Sequence, residues 1–131
     1  MAQQIGSDLL PAFWPVIHPG DPQWVALATN YRYEHMKNQP YRYHNGGLWP
    51  VLTGLYTLGL IHQGERKRAQ CLLHAITQVN AQGEDGSLWD FAEYHHGQTH
   101  QPMGTRRLAW SGAASVLAYQ AVWQGISSWP L

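Results

Sequence analysis

Charge is what this chain has least of. Lys+Arg and Asp+Glu number 8 each among 131 residues, the formal net charge is zero, and charged residues make up only 12%, against about 25% in an ordinary soluble domain. With no cationic surplus and no basic stripe, the counterion release that drives nucleic-acid binding has nothing to act on, and nucleic acid is excluded as a partner. So little charge implies a chain that is either sparingly soluble or buries more surface than a lone small domain can. The single cysteine, Cys71, excludes an internal disulfide and a Cys-cluster zinc site. It falls in a helical pattern and reads as a small buried hydrophobe. The N-terminus has no basic region followed by an apolar run, so no signal peptide is expected. No apolar stretch approaches the roughly 18 residues of a membrane span. A reduced, cytoplasmic setting without membrane contact is the resulting expectation.

What the chain has in excess is aromatic rings with a polar tip: 7 Trp and 7 Tyr, types enriched where a surface meets a partner or ligand. They gather in two blocks. Tyr41-Arg42-Tyr43-His44-Asn45-Gly46-Gly47-Leu48-Trp49-Pro50 is the first, and Trp89-Asp90-Phe91-Ala92-Glu93-Tyr94-His95-His96-Gly97 is the second. Rings beside neutral hydrogen-bonding groups and a carboxylate suit a sugar: aromatic faces stack on the apolar face of the ring, and polar tips read its hydroxyls.

The length is enough for one domain with a real core. Residues 1–21, with Pro11, Pro15, Pro19 and Gly20, read as an irregular arm, whose Phe13-Trp14-Pro15-Val16-Ile17 cluster is expected to pack against something. Asp21-Pro22 reads as a helix start, with Trp24, Leu27, Ala28, Tyr31 and His35 recurring at helical spacing to about Lys37. After a loop over 38–47, Pro50 opens a second helix that Gly64 ends. A third spans about 66–80, with Ala69, Leu72, Leu73, Ile76 and Val79 on one face. The link is short enough for an antiparallel α-hairpin. Residues 81–107 are a long loop with a turn at Glu84-Asp85-Gly86-Ser87 and strand-like aromatic content over 88–94. A last helix covers about 108–124, apolar nearly all round and so expected to be buried on several sides. The fold class is all-α, built from α-hairpins with one long loop carrying a short β element.

Glu93 is the carboxylate to single out, since it sits among Trp89, Phe91, Tyr94 and His95. Glycosidic cleavage takes two carboxyl groups, one to protonate the leaving oxygen and one to activate water or attack carbon. The plainer reading is that Glu93 hydrogen-bonds Arg106 or Arg107, or caps a turn. Asp90 lies three residues away, and in an extended segment the two would face opposite sides. Glu84 and Asp85 read as solvated turn residues, and Arg66-Lys67-Arg68 as a solvated basic face. His95, His96 and His100 have metal-ligand chemistry, but no HExxH or Cys/His pattern accompanies them, so neither metal nor cofactor is expected. His44 and Asn45 either contact sugar or brace the loop. Gly46 and Gly47 supply positive φ or close backbone approach. Trp49 and Trp110, each in the first turn of a helix, line a cleft or belong to the core.

At these residues the chain resembles the neutral/alkaline invertases, glycoside hydrolases built as a ring of six α-hairpins. Their C-terminal region carries a Tyr-x-Tyr-His-Asn-Gly-Gly-x-Trp-Pro block, a helical hairpin, a Trp-Pro-Glu-Tyr-Tyr-Asp-Gly block and a Gln-Thr-Trp-Ser run opening a last helix. Tyr41 to Pro50, the hairpin, Phe91 to Gly97 and Leu108-Ala109-Trp110-Ser111 follow that order. The first block matches throughout. The second keeps Glu93, Tyr94 and Gly97 but replaces the Pro, Tyr and Asp; the third keeps Trp110 and Ser111. The resemblance covers roughly residues 25–125. It implies that residues 1–131 form a single domain, the C-terminal part of an (α/α)6 toroid. It also implies that Glu93 is the base or nucleophile; with the two aromatic and polar blocks placed at helix ends, His44, Asn45, Trp49, Tyr94 and Trp110 are the expected sugar contacts. The general acid of the family lies in an earlier part of the ring that nothing here resembles. The changes around Glu93 leave the sugar open, because related six-hairpin enzymes act on other glucosides and on mannosides. The alternatives are a non-catalytic carbohydrate-binding module and a helical module that assembles as a homo-oligomer.

Overall fold

The structure is a computed structural model that describes residues 9–29, 36–83 and 88–125. It is mostly helical: α1 (Trp24–Thr29), α2 (Pro50–His62), α3 (Arg66–Asn80) and α4 (Ala109–Gln124), with a two-stranded antiparallel ladder of β1 (Tyr94–His95) and β2 (Pro102–Met103).

The helix limits follow local chemistry. Pro50 starts α2 at the position where its missing N–H costs nothing. Gly64 (φ +81°) and Gly125 (φ +62°) stop α2 and α4 in the left-handed conformation. The first helix departs from expectation. Asp21 Oδ2 accepts the backbone N–H of His18 at 2.6 Å, so its side chain reaches back instead of capping forward, and α1 begins at Trp24. The expected continuation through Tyr31 and His35 lies outside the described residues, as does the turn at 84–87.

α2, α3 and α4 pack on one another. Leu60, Ala69, Leu73, Ala118 and Val122 form the core between them, and Ile61 and Leu72 close its edge. α2 and α4 meet so closely that a Cβ on Gly54 would stand 2.7 Å from the Ala114 methyl. Thr53 and Thr57 bury their hydroxyls at this contact by bonding back to Trp49 O and Thr53 O, both at 2.8 Å. Arg66 Nη1 donates to Val122 O at 2.6 Å, satisfying a carbonyl in the last turn of α4.

Two burial expectations are corrected. Cys71 is exposed. The buried positions of α3 are Ala69, Leu73, Ala75, Ile76, Val79 and Asn80, an arc of about 160° at 3.6 residues per turn, and residue 71 lies about 40° beyond its edge at Ala75. α4 is apolar all round but not covered all round: Val116, Tyr119 and Trp123 are exposed, as are Leu52, Leu55 and Tyr56 on α2.

The arm packs on the first aromatic block. Leu9 and Val16 are buried, although Phe13 and Trp14 stay exposed. Leu10 N–H donates to Thr53 Oγ1 at 2.9 Å, Trp49 N–H to Leu10 O at 2.9 Å and Ala12 N–H to Gly47 O at 3.3 Å. Leu9, Leu48, Ala75, Ile76 and Val79 make a second core cluster beneath it.

Candidate functional site

The two aromatic blocks, some forty residues apart in sequence, are tied edge to edge. Leu48 and His95 exchange both backbone hydrogen bonds at 2.8 Å, and Gly97 N–H donates to Tyr41 O at 2.8 Å. Glycines make the approach possible. A Cβ on Gly97 would collide with Gly46 O, and one on Gly47 would collide with Tyr43 O while standing 2.9 Å from Tyr94 Cδ2. Tyr41, Tyr43, Trp89 and Phe91 all hold positive φ, a cost of order 1 kcal/mol or more each that the surrounding contacts must offset.

The junction creates a wall of rings. Trp49 stacks on Tyr94 (centroids 5.5 Å, 22°), and Tyr43 stacks on His44 (4.1 Å, 27°). Tyr43 meets Trp49 at 5.3 Å and Tyr94 at 5.7 Å, and His44 meets Trp49 at 5.3 Å. Trp49 Nε1–H donates to Tyr43 O at 3.0 Å, fixing the indole. Burial pushes the Tyr94 phenol up from its ordinary value, with a backbone hydrogen bond from Tyr43 and the Arg42 charge pulling the other way. Tyr43 is the hub, and it was not singled out from sequence. Its place beside His44 in the same aromatic block was the available signal.

Glu93 sits next to Tyr94 on a distorted ribbon. Its N–H donates to Thr105 O, and Thr105 N–H donates to Glu93 Oε2, both at 2.9 Å. Residues 102 and 103 pair with 95 and 94, whereas 105 pairs with 93, so Gly104 (φ +78°) is an inserted residue, a β-bulge with glycine in the left-handed conformation. A Cβ there would collide with Glu93 Oε2 and stand 3.0 Å from Tyr94 Cε1. Both arginines turn to Asp90: Arg106 Nε lies 2.7 Å from Oδ2, and Arg107 Nε lies 4.0 Å from Oδ1. A cavity of about 180 Å³ opens beside this ion pair, lined by Asp90, Ala92, Pro102, Met103, Gly104 and Arg106.

The remaining candidates separate. His44 is exposed and forms the outer face of the ring wall. Trp49 is 7% exposed and Trp110 is 69% exposed, so the first is an inner wall ring and the second stands free at the start of α4, without a ring contact to the wall. Asn45 is buried with its amide turned to the arm: Oδ1 accepts Ile17 N–H at 2.8 Å, and Nδ2 donates to Ile17 O at 2.8 Å and Asn38 O at 3.1 Å. Each described His of the second block is committed to the backbone. His95 Nδ1 lies 3.2 Å from His100 O; a carbonyl only accepts, so Nδ1 carries the proton. Its Nε2 is buried without a partner. Burial pushes His95 below its ordinary value, partly offset by the His100 carbonyl. His96 Nδ1 accepts from Gln98 and Thr99 N–H at 3.2 Å each, and burial, with the Arg42 charge, lowers it too. Among the described residues no group of three or more His, Cys, Asp or Glu side chains is placed to hold a metal ion.

Stacking rings beside a held carboxylate belong to the chemistry of glycoside hydrolases, and the comparisons lead to the same class. A family model described as alkaline and neutral invertase matches residues 22–123, and the chain belongs to that family. It is 36% identical over 76 residues, 58% of this chain, to the glucosylglycerate hydrolase of Mycolicibacterium hassiacum, of which the match covers 16%. It is 53% identical over 34 residues, 26% of this chain, to neutral/alkaline invertase 1, mitochondrial, of Oryza sativa subsp. japonica, of which the match covers 5%. The chain thus spans a small part of the length of either relative.

Proposed function

We propose that this chain carries the base or nucleophile half of a glycoside hydrolase site, with Glu93 as the reacting carboxylate and the general acid supplied from outside these 131 residues. The observation that carries the reading is the junction itself. It sets a carboxylate, held through one oxygen by a backbone N–H, next to a wall of four rings. A carboxylate with one oxygen fixed keeps the other for water or for an anomeric carbon. His44 and Trp110 are the exposed side chains that would touch sugar. Trp49 and Tyr94 stiffen the wall behind them, and Asn45 braces the loop that presents His44. The substrate is a carbohydrate, with glucosides of the kinds named for the relatives as first candidates. The piece belongs to a toroid of α-hairpins.

The test is a tryptophan-emission titration of the chain with sucrose and with glucosylglycerate, paired with a hydrolysis assay of the same samples. A saturable response lost in His44→Ala and Trp110→Ala is expected, without turnover by the isolated chain. In a longer protein that contains this segment, Glu93→Gln is expected to lower kcat by at least about a hundredfold. Turnover undiminished by Glu93→Gln would overturn the role given to Glu93. A second reading, self-assembly, is favoured by the exposed apolar stripes on α2 and α4, and light scattering tests it: a monomer would remove it.

A further inference from the structure

We propose that Asp90 is a positioning residue for the Glu93 carboxylate, acting through Arg106 and Thr105. The inference rests on the reading of Glu93 as the reacting group. Asp90 is a buried carboxylate with its side chain 1% exposed, yet only Oδ2 is hydrogen-bonded; Oδ1 has no hydrogen-bond partner. A buried carboxylate satisfied on one oxygen is costly, and an apolar residue of similar volume would pack there at less cost. What the arrangement provides is a fixed point for the strand opposite. Asp90 grips that strand twice: its carboxylate holds Arg106 Nε at 2.7 Å, and its backbone carbonyl accepts Arg107 N–H at 2.6 Å.

Thr105, whose N–H holds Glu93 Oε2, is the residue immediately before Arg106. On its other side comes Gly104, a left-handed bulge residue with no side chain to anchor it. The Thr105 amide therefore has a permissive joint on one side and the Asp90–Arg106 ion pair on the other. The backbone bond from Glu93 N–H to Thr105 O sets the distance between the two segments, and the Asp90–Arg106 ion pair sets the direction in which the Thr105 amide faces Glu93. Leu108 N–H to Phe91 O at 2.9 Å continues the ribbon past the pair, so the anchor controls orientation at 105 without carrying the whole strand. A guanidinium Nε–H on a carboxylate oxygen is a charge-assisted bond that fixes direction as well as distance.

Amide hydrogen exchange and the pH titration of the Thr105 amide shift, measured on this chain by NMR, test the proposal. Asp90→Ala is expected to lower Thr105 protection about tenfold or more and to abolish its response to Glu93 ionisation. Amides of Leu60 and Val122 should be unchanged. Asp90→Asn, which keeps an acceptor oxygen, is expected to rescue most of the protection. Arg106→Lys, which keeps the charge but loses the Nε–H donor, is expected to behave like Asp90→Ala. Unchanged Thr105 protection in Asp90→Ala and Arg106→Lys would overturn the proposal. So would equal loosening of the helix amides, which would make Asp90 a fold residue. Glu93→Gln should keep the Thr105 protection and lose only its titration. If Glu93→Gln also leaves turnover of the longer protein intact, the catalytic reading fails while the positioning result stands.

Discussion

Gly97→Ala tests whether the site is a junction held by close backbone approach. The position does not require positive φ, so alanine brings no backbone strain and its effect is steric. The new Cβ would collide with Gly46 O, and it would lie 3.2 Å from Gly46 C and 3.3 Å from Tyr41 Cδ1. The obstacle is backbone, which cannot swing aside as a side chain does. Overpacking of this kind costs about 1–3 kcal/mol, and the Gly97 N–H to Tyr41 O bond that must lengthen contributes about 0.5–1.5 kcal/mol. The expected loss is about 2–4 kcal/mol, read from the urea midpoint followed by tryptophan emission. Gly59→Ala is the internal control: a Cβ there meets nothing within 4 Å, on the exposed side of the last turn of α2, and alanine should stabilise by about 0.5–1 kcal/mol. A Gly97→Ala chain within about 0.5 kcal/mol of the parent, on the order of measurement error, would refute the junction geometry.

Stability should fall in mild acid because His95 is held neutral. Its folded pKa lies below the ordinary 6.5, so as pH drops below about 6.5 the unfolded chain takes up a proton that the folded one refuses. The loss then grows by up to about 1.4 kcal/mol per pH unit until the folded value is reached. Urea midpoints at about pH 7.5 and 5.5, either side of the ordinary imidazole value, measure it, and His95→Gln should flatten the slope; an unchanged slope would mean that His95 is not the group. Ser111→Ala removes the hydroxyl that donates to Ala92 O at 2.9 Å in a fully buried setting. It should cost about 1–3 kcal/mol by calorimetry, and a neutral result would show that water replaces the bond.

Where the sequence failed to separate alternatives, the missing quantity was a distance along the chain. Trp49 and Trp110 look equivalent as first-turn tryptophans, and only the arrival of Tyr94 over one of them makes it an inner wall. Asn45 reads equally well as sugar contact or brace. Its partner Ile17 is 28 residues upstream, and no local pattern announces that pairing. The strand expected over 88–94 forms instead at 94–95 because Trp89 and Phe91 hold positive φ, which interrupts an extended run and turns Asp90 inward.

By itself the sequence determined the helices that matter, α2 to α4, within a residue. Their limits are written in short-range chemistry: Pro50 in the first turn of α2, left-handed Gly64 and Gly125 after the last turns of α2 and α4, and apolar residues at helical spacing in α3. It also determined the two aromatic blocks and the family they belong to. Tertiary structure alone decided that these blocks face each other, that Asp90 and not Glu93 takes the arginines, and which rings are buried. Those outcomes depend on backbones meeting where glycine leaves room, and such contacts between distant segments have no signature in the local pattern of either one.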